Sequence, residues 1–523
     1  MVSRVLSALA AVALLTLVAA CAQERTAAEK EGTLIYGFSD NFKTWDPAKQ
    51  VFAQETAIMH LVYEPMVRWG PNLTIEPYLA ESWEVSDDCT LWTFHLRQGI
   101  RFHDGTMLTS AAIKSQLDRI MDPDVAATRA HMMVDVERIE TPDDHTVRFQ
   151  LSNANCMFVE LMSSAFASVY SPKAFETYGA DIAQHPVGTG AFIFESWDQA
   201  RMRLVFRRNP DYWRGDIIKF DRLEFHQVRE ATTRLTLLEQ DRIDMASIAQ
   251  EHVQVARRNP SITVQSTPYL SIVYIGFNTQ KPPFDDVRVR QACNYAVNKQ
   301  HMIDYVFFGV GTPARGPLPD VLPAFNDEVR RYDYDPDRAR ALLAEAGHPN
   351  GLRVNLWTME TGSYRKVAEA TVGYLREIGV HVNMIVYDEG VYWDKFDEYL
   401  TPTGQQHPTR DGAYDMYIGG WVGGEAPQQF LEPLFQSRSL NNVSFYSNPE
   451  VDRLLVTAKN EPDPAIRTGH FKTIQALVVE DAPWIFAYHG QNNVGISPRV
   501  QGFRVHPSGR LFFDNVRLVE PTN

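Results

Sequence analysis

LAESWEVSDDCTLWTFHLRQGIRFHDGTMLTSAAIKSQLD, residues 79–118, decides the fold of this chain. From Thr90 to Leu96 the side chains alternate. Trp92, Phe94 and Leu96 face one way, and Leu91, Thr93 and His95 the other, which predicts a half-buried strand. Gln98-Gly99 interrupts it, and Ile100-Arg101-Phe102 resumes a short strand. His103-Asp104-Gly105 reads as a turn, since Gly accepts a positive φ and Asp can bond its own backbone. Thr109 or Ser110 then caps a helix whose apolar stripe is Ala112, Ile113, Leu117 and Ile120.

Outward from this stretch the pattern is strand, helix, strand. Thr33 to Phe38 is a strand ended by Ser39-Asp40-Asn41, and Gln54 to Tyr63 an amphipathic helix stopped ahead of Pro65. Strands are expected at 147–151, 220–228, 272–277, 352–357, 380–387 and 484–489. Helices are expected at 231–240, 287–307 and 363–378. Another opens at Asp335-Pro336 as cap and first residue, and two more lie within 448–480. The strand, helix and strand of 352–387 suit a right-handed crossover in a parallel sheet. Gly309 to Ala314 formally matches a dinucleotide fingerprint, but it opens no helix and contains Pro313, so it reads as a loop.

Composition bounds the class. The chain has 523 residues, 44% hydrophobic and 22% charged, enough for two or three packed domains. A net charge of −15 gives no basic footprint for nucleic acid. The first twenty-one residues stand apart. Arg4 precedes an almost wholly apolar run from Val5 to Val18, and Ala19-Ala20-Cys21 closes it with small residues. This predicts a secretory signal peptide over 1–20, and its end looks like a bacterial lipobox, in which Cys21 receives lipid. Residues 21–31 are then a polar tether. Of the other three cysteines at least one is unpaired within the chain. Cys293 lies on the apolar face of a helix, a buried free thiol. Cys89 and Cys156 flank strands that could pair, and a disulfide there suits an oxidising compartment.

The string from Leu79 to Thr109 resembles the signature of the peptide/nickel-type extracellular solute-binding proteins, family 5, the capture subunits of ABC importers. Pro186-Val187-Gly188-Thr189-Gly190 and Arg208-Asn209-Pro210-Asp211-Tyr212-Trp213 resemble further family motifs, as does the run from Phe277 to Asn298. The resemblance implies an α/β, two-lobed periplasmic-binding-protein-like fold (type II, cluster C) with an extra domain inserted in lobe I. Lobe I would comprise 32–66, 178–272 and 490–523, the insert 67–177, and lobe II 273–489. The chain would cross between lobes at least twice, making a hinge.

Tyr414 to Pro427 is the most informative loop: a strand ends in Gly419-Gly420, followed by Trp421 and more glycine. Glycines permit close approach of a ligand backbone, and an indole offers a flat wall with one donor. The loop resembles the family's ligand loop, with Phe430 as its closing aromatic and Trp393 as a second cleft aromatic. By the same resemblance, Phe38, Ser39 and Asp40 lie at the cleft floor. Peptide-binding members carry Asp three residues after the Trp, for the peptide amine; here that position is Gly424, and Glu425 follows. An Arg used for carboxylates in some members sits three residues before the Trp; here it is Ile418. Either Glu425 takes the amine contact or the ligand is not a typical peptide. Nickel is disfavoured, because the nearest upstream imidazole is the distant His407.

The expected ligand set is therefore Trp421, Gly423, Gly424, Glu425, Trp393, Phe38, Ser39 and Asp40, with no metal or cofactor. The resemblance implies a monomer held at the extracytoplasmic face, the periplasm, through Cys21 and serving an ABC permease and ATPase. Its cargo would be a peptide or other small solute bound by strand-like backbone contacts. An exported hydrolase is the other class considered, with His103-Asp104 its only suggestive pair; no Gly-x-Ser-x-Gly, His-Glu-x-x-His or Cys-x-x-Cys occurs. A receptor or chaperone on the same fold is the third.

Overall fold

The computed structural model describes residues 31–39, 42–50, 53–360, 362–399 and 414–519. The expected signal segment with Arg4, the lipid site Cys21, the tether up to residue 30, Asp40 and His407 lie outside the described residues. No helix among the described residues is long and apolar enough to cross a membrane.

Two large mixed sheets organise the molecule. The first has seven strands in the order Thr263–Pro268, Gln491–Ile496, Met245–Ser247, Thr33–Phe38, Arg222–Gln227, Arg203–Arg208 and Phe192–Asp198. Its central strand Thr33–Phe38 pairs parallel with both neighbours and is buried along its whole length, as a strand covered on both faces must be. The second has six: Thr312–Pro313, Trp484–His489, Ser271–Phe277, Met416–Val422, Leu352–Met359 and Val380–Tyr387. Here Leu352–Met359 and Val380–Tyr387 run parallel through the helix Tyr364–Glu377, the crossover read from sequence. Apolar clusters cover both faces of each sheet.

The chain passes between the sheets twice, over very short links. Tyr269 and Leu270 join Thr263–Pro268 to Ser271–Phe277, and Gly490 alone joins Trp484–His489 to Gln491–Ile496. The links lie side by side, with the Tyr269 amide donating to the Gly490 carbonyl at 2.9 Å. Such paired crossings can absorb a rotation of one sheet against the other.

A third, four-stranded antiparallel sheet is formed by Ala80–Val85, Leu91–Leu96, Thr146–Leu151 and Val136–Asp143. In Leu91–Leu96, Trp92, Phe94 and Leu96 are buried and their alternates half-buried. The helix Ser110–Met121 lays Ala112, Ile113, Leu117 and Ile120 on this sheet. Cys89 and Cys156 form a disulfide with an S–S distance of 1.97 Å. Cys293 is a buried free thiol whose pKa burial pushes up to about 12.

Three local expectations need correction. The single helix expected over 287–307 is two, Val287–Ala296 and Lys299–Val306. Val297 is extended, and Asn298 caps the second helix by accepting from the His301 amide. An Asn inside a helical pattern competes for the backbone and starts a new helix. The helix before Pro65 ends at Met59, and turns carry the chain onward to Tyr63. Ile100-Arg101-Phe102 contributes one isolated bridge, Arg101 to Met107, rather than a strand.

His489, at the second crossing, is 2% exposed and donates Nδ1–H to the Ser271 carbonyl at 2.9 Å. Burial lowers its pKa from 6.5 to about 4. Between those values the unfolded chain takes a proton that the folded imidazole refuses. Stability therefore falls as pH drops below 6.5 and levels off under 4, by about 3 kcal/mol for this group. Urea melts at pH 7 and pH 4.5 are expected to show this loss, and His489→Asn to shrink it.

Candidate functional site

The family-like motifs of the first half converge on one structural knot. His103 Nε2 donates to the Gly190 carbonyl at 2.9 Å, and its Nδ1 accepts from the Gly188 amide at 3.4 Å. Burial brings its pKa to about 4, so the ring is neutral. Asp104 accepts from Ser171 Oγ at 2.6 Å and from the Thr106 amide at 2.9 Å. Both side chains are thus committed to holding turns, which removes the one pair that suggested hydrolysis. The glycine-rich turn packs on the protein itself: a Cβ at Gly188 would sit 1.9 Å from the Val62 carbonyl oxygen. Thr189, Tyr212 and Trp213 all donate to the buried Glu64.

A cavity of about 200 Å³ lies on one face of the first sheet. Tyr36, Phe38 and Phe225 form its floor near the carboxyl end of the central strand, where α/β sheets commonly bind ligands. Ala57 and Ile58 wall one side. Tyr269, Gln491 and Asn492 reach it from the two crossings, and the segment from Phe503 to Leu511 covers it. Arg510 is the one lining residue with a permanent charge, since burial lowers the pKa of the other titratable base, His506. A smaller cavity, about 60 Å³, shares Ala57, Arg510 and Leu511 and adds His60, Arg68 and Tyr78.

One residue of the loop after Met416–Val422, Glu425, pairs with Arg510 of this cavity's lining. Glu425 is 5% exposed, and its Oε1 accepts from Arg510 Nε at 2.6 Å. Arg510 Nη1 donates to His60 Nδ1 at 2.8 Å. Burial works to raise the Glu425 pKa, but the charge and hydrogen bond of Arg510 overcome it and leave the carboxyl below its usual range. Burial, then Arg510, hold His60 well below the ordinary imidazole value, so it is neutral.

The rest of the loop serves its own packing. Trp421 is half-buried, and its Nε1 donates to the Gln429 carbonyl at 2.9 Å. A Cβ at Gly423 would meet the Phe430 ring at 2.2 Å, and one at Gly424 the Gln429 Oε1 at 1.8 Å. These glycines thus admit side chains of the following helix, Gln428–Phe435. Phe430 is fully buried beneath the loop, and Ile418 is a core residue. Trp393, 44% exposed on the helix Glu389–Tyr399, packs on Tyr392 and Phe396 and lines neither cavity. Ser39 is half-buried and also lines neither. Among the described residues no group of His, Cys, Asp and Glu could hold a metal ion.

The family model for bacterial extracellular solute-binding proteins, family 5 Middle, matches residues 74–442. The chain belongs to that family. It is 31% identical over 493 residues to the glutathione-binding protein GsiB of Shigella dysenteriae serotype 1, covering 93% of this chain and 94% of that protein. Among solved structures it is similar to HbpA2 from Haemophilus parasuis, at 27% identity and a TM-score of 0.84, over 93% of this chain and 100% of the other. It also resembles the ABC transporter-associated periplasmic binding protein DppA from Helicobacter pylori, solved with the peptide STSA. That match has 26% identity and a TM-score of 0.76 over 93% and 98% of the two chains. The two sheets are thus the two lobes of a solute-binding protein of the periplasmic type, and GsiB and DppA are binding proteins by name.

Within this family member Phe38 and Arg510 line the same cavity, and Arg510 pairs with Glu425. Sequence reading passed over Arg510 and His60. Arg510 is a lone cation before Leu511-Phe512-Phe513, a pattern that hints at a buried guanidinium. His60 carries no such local mark, and its partner lies 450 residues away.

Proposed function

We propose that this protein is the lipid-anchored capture subunit of an ABC importer, taking a peptide or peptide-like solute between its lobes and releasing it unaltered. What carries the reading is the Glu425–Arg510 contact. It joins the loop of the second lobe to the segment that covers the cavity of the first, at the level of the two crossings. The residues that line the cavity belong to the first lobe, so cargo seated there would reach the second lobe through Arg510 and its partner Glu425, and so favour closure. The glutathione bound by GsiB and the peptide bound by DppA have the backbone amides and terminal charges that this cavity of aromatic, amide and guanidinium groups suits. The division into lobe I (32–66, 178–272, 490–523), insert (67–177) and lobe II (273–489) belongs to the same proposal. So do a cleaved signal over 1–20, lipid on Cys21 and a monomeric working state. The disulfide is consistent with export to an oxidising compartment.

Native mass spectrometry of the purified Cys21→Ser protein tests the reading. Co-purified peptides are expected, and a protein that captures neither peptides nor glutathione counts against it. Trp421→Ala is expected to weaken capture tenfold or more, about 1.4 kcal/mol. Loss of the indole removes its hydrogen bond to the Gln429 carbonyl and frees the loop that presents Glu425. Titration calorimetry gives the affinity, and circular dichroism should show the fold retained.

A further inference from the structure

We propose that Arg510, held in place by Glu425 and His60, is the anchor for a carboxylate of the captured solute. The inference rests on the peptide-capture reading and says which end of the cargo is gripped.

The chemistry around Arg510 is one-sided. Its Nε donates to Glu425 and its Nη1 to His60, so the planar fork is fixed before any cargo arrives. Nη2 makes no hydrogen bond among the described residues. Guanidinium groups in this fixed geometry are matched to carboxylates, which they meet with charge-assisted hydrogen bonds. His60 adds a second donor. Because its Nδ1 accepts from Arg510, the ring proton of the neutral imidazole sits on Nε2. That N–H is buried with no partner among the described residues, in a residue that lines the adjoining small cavity. Buried donors left unmatched are costly, so the place calls for an acceptor.

A cation fits poorly here. Glu425 is buried and already spent on Arg510, and Asp514, which lines the smaller cavity, pairs with Arg68 and Arg214. An amine seeking either must first displace a guanidinium. The other polar lining groups, Ser247, Gln491, Asn492 and Ser508, are uncharged and serve amides as readily as ions. Glu425 comes from the second lobe and Arg510 from the first. The fork is therefore complete only where the lobes meet, which couples grip on the carboxylate to closure.

The test uses the purified Cys21→Ser protein, dialysed free of solute, and one mixed-sequence tripeptide library prepared in three forms: free acid, carboxyl-terminal amide and amino-terminal acetyl. Captured masses are read by native mass spectrometry and affinities by calorimetry. Free acids and acetylated peptides are expected to bind, and amides to bind on the order of a hundredfold more weakly. Amides that bind as well as acids overturn the proposal. So does loss of acetylated peptides with amides retained, which would hand recognition to Glu425 and an amine. If no form binds, the peptide reading itself falls, a different outcome from either. Arg510→Gln should abolish the difference between acid and amide. Should that variant fail to fold with Glu425 left unpaired, the three libraries on the unaltered protein still decide.

Discussion

Glu64→Ala is expected to cost about 5 kcal/mol of stability, enough to leave most of the chain unfolded near physiological temperature. The carboxylate is fully buried. It accepts from Thr189 Oγ at 2.7 Å, Tyr212 Oη at 2.7 Å and Trp213 Nε1 at 2.8 Å. Removing it takes the acceptor from the Thr189 hydroxyl and the half-buried Trp213 indole, at roughly 1–3 kcal/mol each, and leaves Tyr212 only the Tyr78 hydroxyl at 3.0 Å. Whole domains are stable by only about 5–15 kcal/mol, so that sum is decisive. Burial already holds the Glu64 carboxyl above its usual pKa, against the pull of these bonds, so its charge is not the source of strength. Glu64→Gln keeps one acceptor oxygen, and the Tyr and Thr hydroxyls can turn to accept from its amide, whereas Trp213 can only donate. A cost of about 1–2 kcal/mol is expected for it. Urea unfolding monitored by far-ultraviolet dichroism separates the two variants. A Glu64→Ala protein within 1 kcal/mol of the parent would show that the knot is not a keystone.

The same knot explains how a family resemblance can be legible while its purpose is not. The alternation of Leu91–Leu96 and the stripe of Ser110–Met121 are local patterns, and burial follows them residue by residue. The motifs at 103–105, 186–190 and 208–213 are visible as strings. The last two share the partner Glu64, which stands 125 to 149 residues from the donors it binds, a distance no periodicity spans. Glu425 and Arg510 show the same limit over 85 residues. The loop glycines show a related limit: sequence shows room near the backbone, but not that Phe430 and Gln429 pack against it. Asn298 is a local signal, a capping residue inside an apparently continuous helical pattern.

Breaking the disulfide, by Cys89→Ser with Cys156→Ser, is expected to cost about 4 kcal/mol, felt mainly in the four-stranded sheet. The bond closes a separation of 67 residues. The chain-entropy cost of leaving such a loop open comes to about 4 kcal/mol, an upper figure where the reduced chain keeps residual structure. The bond ties the turn before Leu91–Leu96 to the segment after Thr146–Leu151, where the Asn155 amide donates to the Cys89 carbonyl and Trp92 Nε1 to the Asn155 carbonyl. That segment also touches the second lobe. The Cys156 amide donates to the Lys459 carbonyl at 2.8 Å, Lys459 Nζ lies 3.0 Å from Asp135, and Met157 joins the second lobe's apolar cluster. In a chain of several domains a single melting temperature blurs such a local loss. Hydrogen exchange resolves it: amides of Leu91–Leu96 and Thr146–Leu151 should exchange up to about a thousandfold faster in the variant. The central strand Thr33–Phe38, in another sheet, should keep its protection. Equal protection throughout would mean that packing of Trp92, Phe94 and Phe149 holds this sheet without the covalent link. Faster exchange confined to 153–162 would assign the bond to the docking patch instead, and solute release should then quicken while the sheet stays intact.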